Sequence, residues 1–378
     1  MIGDCDYALQ ATTGQCVATT SRTNQRAKVL GTDLGSSFES QGKLIFLFGD
    51  TLGPAENYFA SDTMASTTTT DASQGLMLDF FTNADGTPFF LRVPGIQLGA
   101  AEVPEAGVRL DAGTYIAFKT GTDQNAPDRT ANAYSVLTRF DETTRRFTLL
   151  RTISPPHGRF TSMSLHTSGS DLLMYGLGSY RASDVYLATV PARNIESGQD
   201  TRYFTGLVNG QPTWSTSESA AVPVVVDSSG SKPTIGNVSV TFASQLGLWL
   251  MTYDAGSSPS TVGVYFSYAS QPWGPWSAPQ LIFNPRREGA VGRFIHDPSV
   301  LPNPPGDGLS GPTIGPNDPR QTPGSAYAPF MIERFTRVAG DKLSIYYTLS
   351  TWNPYTVVEM RSDFTISEAA RRRRAARH

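Results

Sequence analysis

Five times along the chain a run of apolar strand residues ends in a polar, glycine-bearing or aromatic turn: LIFLFGDTLG from residue 44, TYIAFKTGTD from 114, LLMYGLGSYR from 172, LWLMTYDAGS from 248 and LSIYYTLSTW from 343. A continuous apolar run of that length fits a strand covered on both faces. Alternating strands follow several of them, as VYLATV from 185, VGVYFSYAS from 262 and TVVEMRS from 356. Over 378 residues the five units average about 75 residues each, longer than the ~40–50 of common propeller repeats and consistent with insertions. Long capped amphipathic helices are missing, apart from a short pattern near Ser367 to Ala376, which disfavours an α/β fold. The reading is all-β: a five-bladed β-propeller with long loops on the face that carries the candidate site, with a pair of β-sandwiches as the competing architecture. Residues 28–366 form the propeller, 1–27 an N-terminal segment joining it, and 367–378 a basic tail.

In a propeller blade the innermost strand starts on the face where the second strand ends, so the loops after all the second strands share one face. That places Asp50 with Lys119, Tyr180, Arg181, Asp254, Trp352 and Asn353 around one opening. The segment Asn284 to Ser325 is long, rich in Pro and Gly and without periodicity, and is read as a wall of that opening. Ala101 to Val108 and Asp123 to Thr130 are lesser insertions.

The stretch GTDLGSSFESQGKLIFLFGDT, from Gly31 to Thr51, reads as a hairpin. With Gln41 and Gly42 as its loop, Ser40 faces Lys43, and counting back sets Asp33 directly opposite Asp50. Opposed like charges about 5 Å apart leave one carboxyl protonated to a higher pH than usual. A protonated acid beside a carboxylate is the equipment of a glycosidase. The competing reading is that each Asp bonds backbone amides in a turn. Direct pairing leans towards a retaining reaction, and a bulge before Gly49 would remove that lean.

Other side chains fit sugar binding beside a cleft. Arg181 offers a planar fork to ring hydroxyls, or an ion pair with Asp184. Tyr180 belongs to the same turn. Trp352 and Asn353, in STWNPY, offer a ring face and an amide, or simply pack a turn. Tyr327, in SAYAPF, points into the opening or into the core. His296 and Asp297, in RFIHDPSV, form a polar pair on the long loop or an Asp-Pro turn. Glu333 is a further carboxylate or the solvent face of a strand, and Trp273 and Trp276 pack a blade edge.

Net charge is −3 and charged residues make up only 17%, so no basic field argues for nucleic acid, and the partner is read as neutral. No apolar run is long enough to span a bilayer, and the first residues lack the charged and apolar regions of a secretion signal. Cys5 and Cys16 either close a small loop by a disulfide, which implies an oxidising compartment, or remain free thiols. His157 and His166 have no metal-ligand spacing, and no HExxH, P-loop, GxSxG or dinucleotide motif occurs. No cofactor is implied and a structural Ca²⁺ is left open. The tail EAARRRRAARH is a solvated end or an electrostatic contact with a polyanion.

Taken together, GTDLG, LFGDT, YRASDVYLATVP (180–191), GNVSVTF (236–242), AYAPFMIERF (326–335) and IYYTLSTWNPY (345–355) resemble the bacterial and phage endo-D-arabinanase family. The similarity runs from about Lys28 to Arg361. The resemblance implies a five-bladed propeller glycoside hydrolase that cuts D-arabinan, the furanose polymer of mycobacterial arabinogalactan and lipoarabinomannan. It also implies that Asp33 and Asp50 match the catalytic carboxylates and that the protein works outside the cell or at the envelope, secreted or phage-delivered. A propeller furanosidase of other specificity, and a non-catalytic carbohydrate-binding propeller such as an adhesion module, are the alternatives.

Overall fold

Alternate residues of each blade's second strand enter two different cores, one on either side of the blade, which explains the five continuous apolar runs. A computed structural model describes residues 1–53, 61–123, 125–126, 128–297, 309, 311–312 and 323–366. The first blade holds β1 (Gly31–Ser40), β2 (Lys43–Leu52), β3 (Thr63–Thr67) and β4 (Asp79–Phe80); the second holds β5 (Pro104–Leu110), β6 (Gly113–Thr120), β7 (Tyr134–Asp141) and β8 (Arg146–Ser154). The third contains β9 (Ser162–Ser168), β10 (Asp171–Leu177) and β11 (Val185–Pro191), extended by β12 (Arg202–Val208), β13 (Gln211–Ser215) and β14 (Pro223–Val225). The fourth is β15 (Val238–Ala243), β16 (Leu248–Ala255), β17 (Gly263–Ala269) and β18 (Gln280–Phe283). In the fifth, β19 (Ala326–Met331) and β20 (Arg337–Ala339) both pair with β21 (Lys342–Thr351), which also pairs with β22 (Thr356–Thr365).

In β2, Ile45 and Leu47 pack towards the second blade with Ile116 and Phe118. Their neighbours Phe46 and Phe48 pack towards the fifth with Phe335, Tyr346 and Val357. In β6 the same alternation sends Tyr115 and Ala117 to meet Leu172 and Met174 of the third blade. Leu173 and Tyr175 then meet Trp249 and Met251 of the fourth, and Leu250 meets Ile345 and Tyr347 of the fifth. Each large apolar side chain so buried contributes about 1.5–3 kcal/mol, so the ring is held by its blade-to-blade seams. The innermost strands touch in the order β1, β5, β9, β15, β19 and back to β1. The propeller is closed.

The N-terminal segment carries α1 (Tyr7–Thr13), α2 (Thr23–Ala27) and the Cys5–Cys16 disulfide. The Ile2 N–H donates to Val357 O of β22, and Thr356 Oγ1 donates to Ile2 O at 3.2 Å. Ile2, Ala27 and Val29 enter the core between the fifth and first blades, which binds the start of the chain to its last blade. Ala101 to Val108 is not a surface insertion: from Pro104 it is β5, an innermost strand. The basic tail and most of the segment between Asn284 and Ser325 lie outside the described residues. No described helix is long and apolar enough to cross a membrane.

Candidate active site

Asp50 and Lys119 lie at the C-terminal ends of β2 and β6, Asp254 at that of β16, and Tyr180, Arg181 and Trp352 just beyond β10 and β21. Asp33 and Tyr327 sit at the start of the innermost strands β1 and β19. All except Asp254 line one cavity of about 350 Å3, together with Val103, Arg129, Thr130, Asn237 and Ser325 among others. Asp50 is therefore the end of a strand rather than part of a loop, but on the face expected.

The hairpin begins as drawn, with Gln41 and Gly42 both at positive φ and Ser40 opposite Lys43, the geometry of a two-residue turn. Nearer the site the register shifts twice, between Leu34 and Ser36 and between Thr32 and Leu34. Asp33 does not face Asp50 as one member of a regular pair, because Leu34 and Gly35 adopt the left-handed region and bulge β1. The stereochemical lean based on direct pairing falls with it. The bulge sets the Asp33 carboxylate over Gly49, where an added Cβ would collide with Asp33 Oδ1. Arg181 and Ala328 are also left-handed. With Leu34 and Ala101, which is left-handed too, four non-glycine residues in this uncommon conformation thus sit at or beside residues of one cavity, as backbone strain often does at functional sites.

Tyr327 Oη donates to Asp33 Oδ2 at 2.9 Å. The Tyr355 hydroxyl lies beside the same carboxylate without a well-formed hydrogen bond to it. Burial pushes Asp33 up to about 6 against the pull of Tyr327, Tyr355 and Lys119. Asp50 goes up to about 7 through burial and then the charge of Asp33, opposed by the Ala101 N–H and Lys119. The Ala101 N–H reaches Asp50 Oδ2 at 3.2 Å. Lys119 pairs with buried Glu105 at 3.1 Å, and this carboxylate, with Asp33, keeps it protonated despite burial. Burial thus raises the proton affinity of both aspartates, and the charge of Asp33 raises that of Asp50 further, beside one shared cavity.

Arg181 does not pair with Asp184. Its Nη2 donates to Asp254 Oδ2 at 2.9 Å, across the third and fourth blades. The buried Asp254 also accepts the Asn237 N–H at 2.8 Å, so its demand for a counter-charge is greater than that of a surface carboxylate. The guanidinium lies 5.3 Å from the centre of the Tyr180 ring, and Lys119 Nζ lies 5.8 Å from it. Tyr180 and Trp352 keep 38% and 37% of their surface exposed, which gives the cavity two aromatic faces.

Among the described residues, the cavity lining includes Asp33, Asp50, Tyr180, Arg181, Tyr327 and Trp352 but not His296, Asp297 or Asn353. The last three are buried. The His296 N–H donates to Asn353 O at 2.8 Å, and Asp297 pairs with Arg286 at 2.7 Å. Their visible bonds tie loops together. Glu333 lies elsewhere, in the narrow central channel, where it meets His166 at 3.1 Å. Trp276, of the fourth blade, packs edge-on to Tyr175 across the seam with the third. Asp62, Glu102 and Glu105 surround the pair and lie in none of the quoted segments, whereas Tyr355 ends IYYTLSTWNPY without having been singled out; the fold brings all four there.

A sequence profile described as "Domain of unknown function (DUF4185)" matches residues 18–361, and the chain belongs to this family. No curated protein matches the sequence. Among solved structures, a protein from Bacteroides ovatus ATCC 8483, provisionally classed as a hydrolase, aligns with a TM-score of 0.55 at 14% identity, over 89% of this chain and 87% of that one. The GH43_1 enzyme of Xanthomonas citri aligns with a TM-score of 0.49 at 11% identity, over 97% and 95%.

Proposed function

We propose that this protein is a glycoside hydrolase that cleaves internal α-D-arabinofuranosidic bonds of D-arabinan, as found in mycobacterial arabinogalactan and lipoarabinomannan. The observation that carries the reading is the pair Asp33 and Asp50, facing one cavity with their proton affinities raised to different extents. Cleavage of a furanosidic bond passes through an oxocarbenium-like state and needs a proton at the leaving oxygen and a carboxylate, or a water it activates, at the anomeric carbon. Asp50 supplies the proton. Asp33, held ionised by Tyr327 and Lys119, acts at the anomeric carbon. Arg181, Tyr180 and Trp352 offer a hydrogen-bonding fork and ring faces for the sugars.

The sugar itself is read from the combination of GTDLG, LFGDT and STWNPY segments, which resemble endo-D-arabinanases, and the provisional classing of the Bacteroides ovatus neighbour as a hydrolase agrees with the reaction type. The Cys5–Cys16 disulfide supports work outside the cell or at the envelope. The test is chromatography of products after incubation with mycobacterial arabinogalactan, beside Asp33→Asn and Asp50→Asn. Short arabino-oligosaccharides from the wild type, absent with both variants, are the expected result. Binding without release would replace the enzyme by a carbohydrate-binding propeller.

A further inference from the structure

Asp62 stands at the entrance of β3, one residue before Thr63, which pairs with Phe48. The next bond between the strands, from the Thr51 N–H to Ser61 O, is one residue out of that register and brackets Asp62 opposite Gly49 and Asp50. The Thr51 N–H donates to Ser61 O at 3.0 Å and the Leu91 N–H to Asp62 O at 2.9 Å, so the backbone there is fixed from both sides. The side chain is 1% exposed, and neither carboxyl oxygen has a hydrogen-bond partner among the described residues. Asp50 Oδ1 is likewise buried and without a partner, whereas Asp50 Oδ2 accepts the Ala101 N–H.

The charged groups around Asp62 are Asp50, Asp33 and Glu102, with Lys119 the single cation of the set; Asp50 acts on it most strongly. Burial and these carboxylates hold its proton well above the ordinary range. A buried carboxylic acid kept neutral is a hydrogen-bond donor, as a carboxylate is not. Among the described residues no cluster of three or more acidic, histidine or cysteine side chains forms a metal site.

We infer that Asp62 is a positioning residue whose neutral carboxyl donates a hydrogen bond to Asp50 Oδ1 as Asp50 becomes a carboxylate. This rests on the proposed role of Asp50 as the acid. In the step, the Asp50 proton passes to the glycosidic oxygen as the bond from that oxygen to the anomeric carbon breaks. The Asp62 proton stays on Asp62. A hydrogen bond to a charged group changes an equilibrium by about 10- to 100-fold, so loss of the donor raises the proton affinity of Asp50 and slows its ionisation by that order.

The test is a 13C titration of the aspartate carboxyl carbons in the whole protein, wild type beside Asp62→Asn and Asp62→Leu, with kcat measured against pH. In the wild type, Asp62 keeps the chemical shift of a protonated acid at pH 7. The Asp50 midpoint stays near the wild-type value in Asp62→Asn, whose amide can donate. In Asp62→Leu it rises by about one pH unit or more, with kcat down about 10- to 100-fold and the alkaline limb moved to higher pH. An ionised Asp62 at pH 7 in the wild type overturns the inference without any variant. An Asp50 midpoint equal in all three proteins overturns it too, whether or not polymer is cut. Midpoints that move as stated in a protein that cuts no glycan leave the Asp62–Asp50 contact standing and remove the hydrolase reading.

Discussion

The hydroxyl of Tyr327, in the last blade, donates to the carboxylate of Asp33, in the first, at 2.9 Å. Tyr327→Phe removes this donor and nothing else of comparable size. The bond favours the ionised acid, so its loss moves Asp33 upward from about 6. The acid limb of the rate profile then shifts to higher pH. A drop in kcat of about tenfold or more is the expected size for a hydrogen bond to a charged group. Hydrolysis rates between pH 4 and 8 check it, and an unmoved acid limb would show that Tyr327 does not tune Asp33.

Asp50 has a folded proton affinity raised to about 7 from an ordinary value of 3.8. The folded state therefore binds more protons than the unfolded state between these values, so the stability from this group is complete below pH 4 and lost as pH rises through 7. At 1.36 kcal/mol per pH unit the whole effect is about 4 kcal/mol at most. Asp50→Asn, neutral at every pH, is expected to melt above the wild type at pH 8 and to flatten the fall in Tm between pH 4 and 7. Thermal melts across that range decide it. Equal slopes would contradict the assigned burial cost.

Gly49 leaves the space that Asp33 Oδ1 fills. Gly49→Ala forces the carboxylate aside and otherwise meets only the ends of the Val103 and Leu34 side chains, at 3.0 and 3.1 Å, among its nearest neighbours. Displacement by about 1 Å can cost about 100-fold in rate, so kcat falls by that order while Tm changes little. Kinetics alongside far-ultraviolet circular dichroism separate a displaced acid from an unfolded ring.

Arg181→Ala strips Asp254 of its cation. Asp254 has a side chain only 3% exposed, and an uncompensated buried charge costs about 3–5 kcal/mol. The low end of that range applies because Arg181 is itself 34% exposed. Urea unfolding at pH 8 is expected to show the loss, and it shrinks at pH 5 as Asp254 takes up a proton. The double variant Arg181→Ala with Asp254→Asn recovers part of it.

The second strand of every blade was legible because both of its faces are covered, which turns a strand into an unbroken apolar run such as Leu44 to Phe48. Asp33 and Asp50 were legible as a pair because a two-residue turn counts reliably along short strands. The count is interrupted only across Asp33 to Gly35, where the left-handed Leu34 and Gly35 bulge the strand, and is restored at Thr32 opposite Thr51; no residue type at Leu34 announces the bulge. The ion pair considered for Arg181 was with Asp184, near it in sequence, whereas Asp254 reaches it from the next blade. Such partners are invisible without the ring. β5 was mistaken for an insertion because its start, VPEAG, holds Pro, Glu and Gly in an innermost strand. Asp62 gave no sign at all, since nothing in SDTMAST separates a buried acid from a polar turn.

The bond between Tyr327 and Asp33 spans nearly the full length of the polypeptide. A ribosome emits the first blade, with both aspartates, long before it emits β19. During that interval Asp33 has neither its phenolic donor nor the wall supplied by the last blade. The finished site therefore waits for the end of translation, and a truncated chain lacking its last blade carries both acids without the tyrosine that sets one of them.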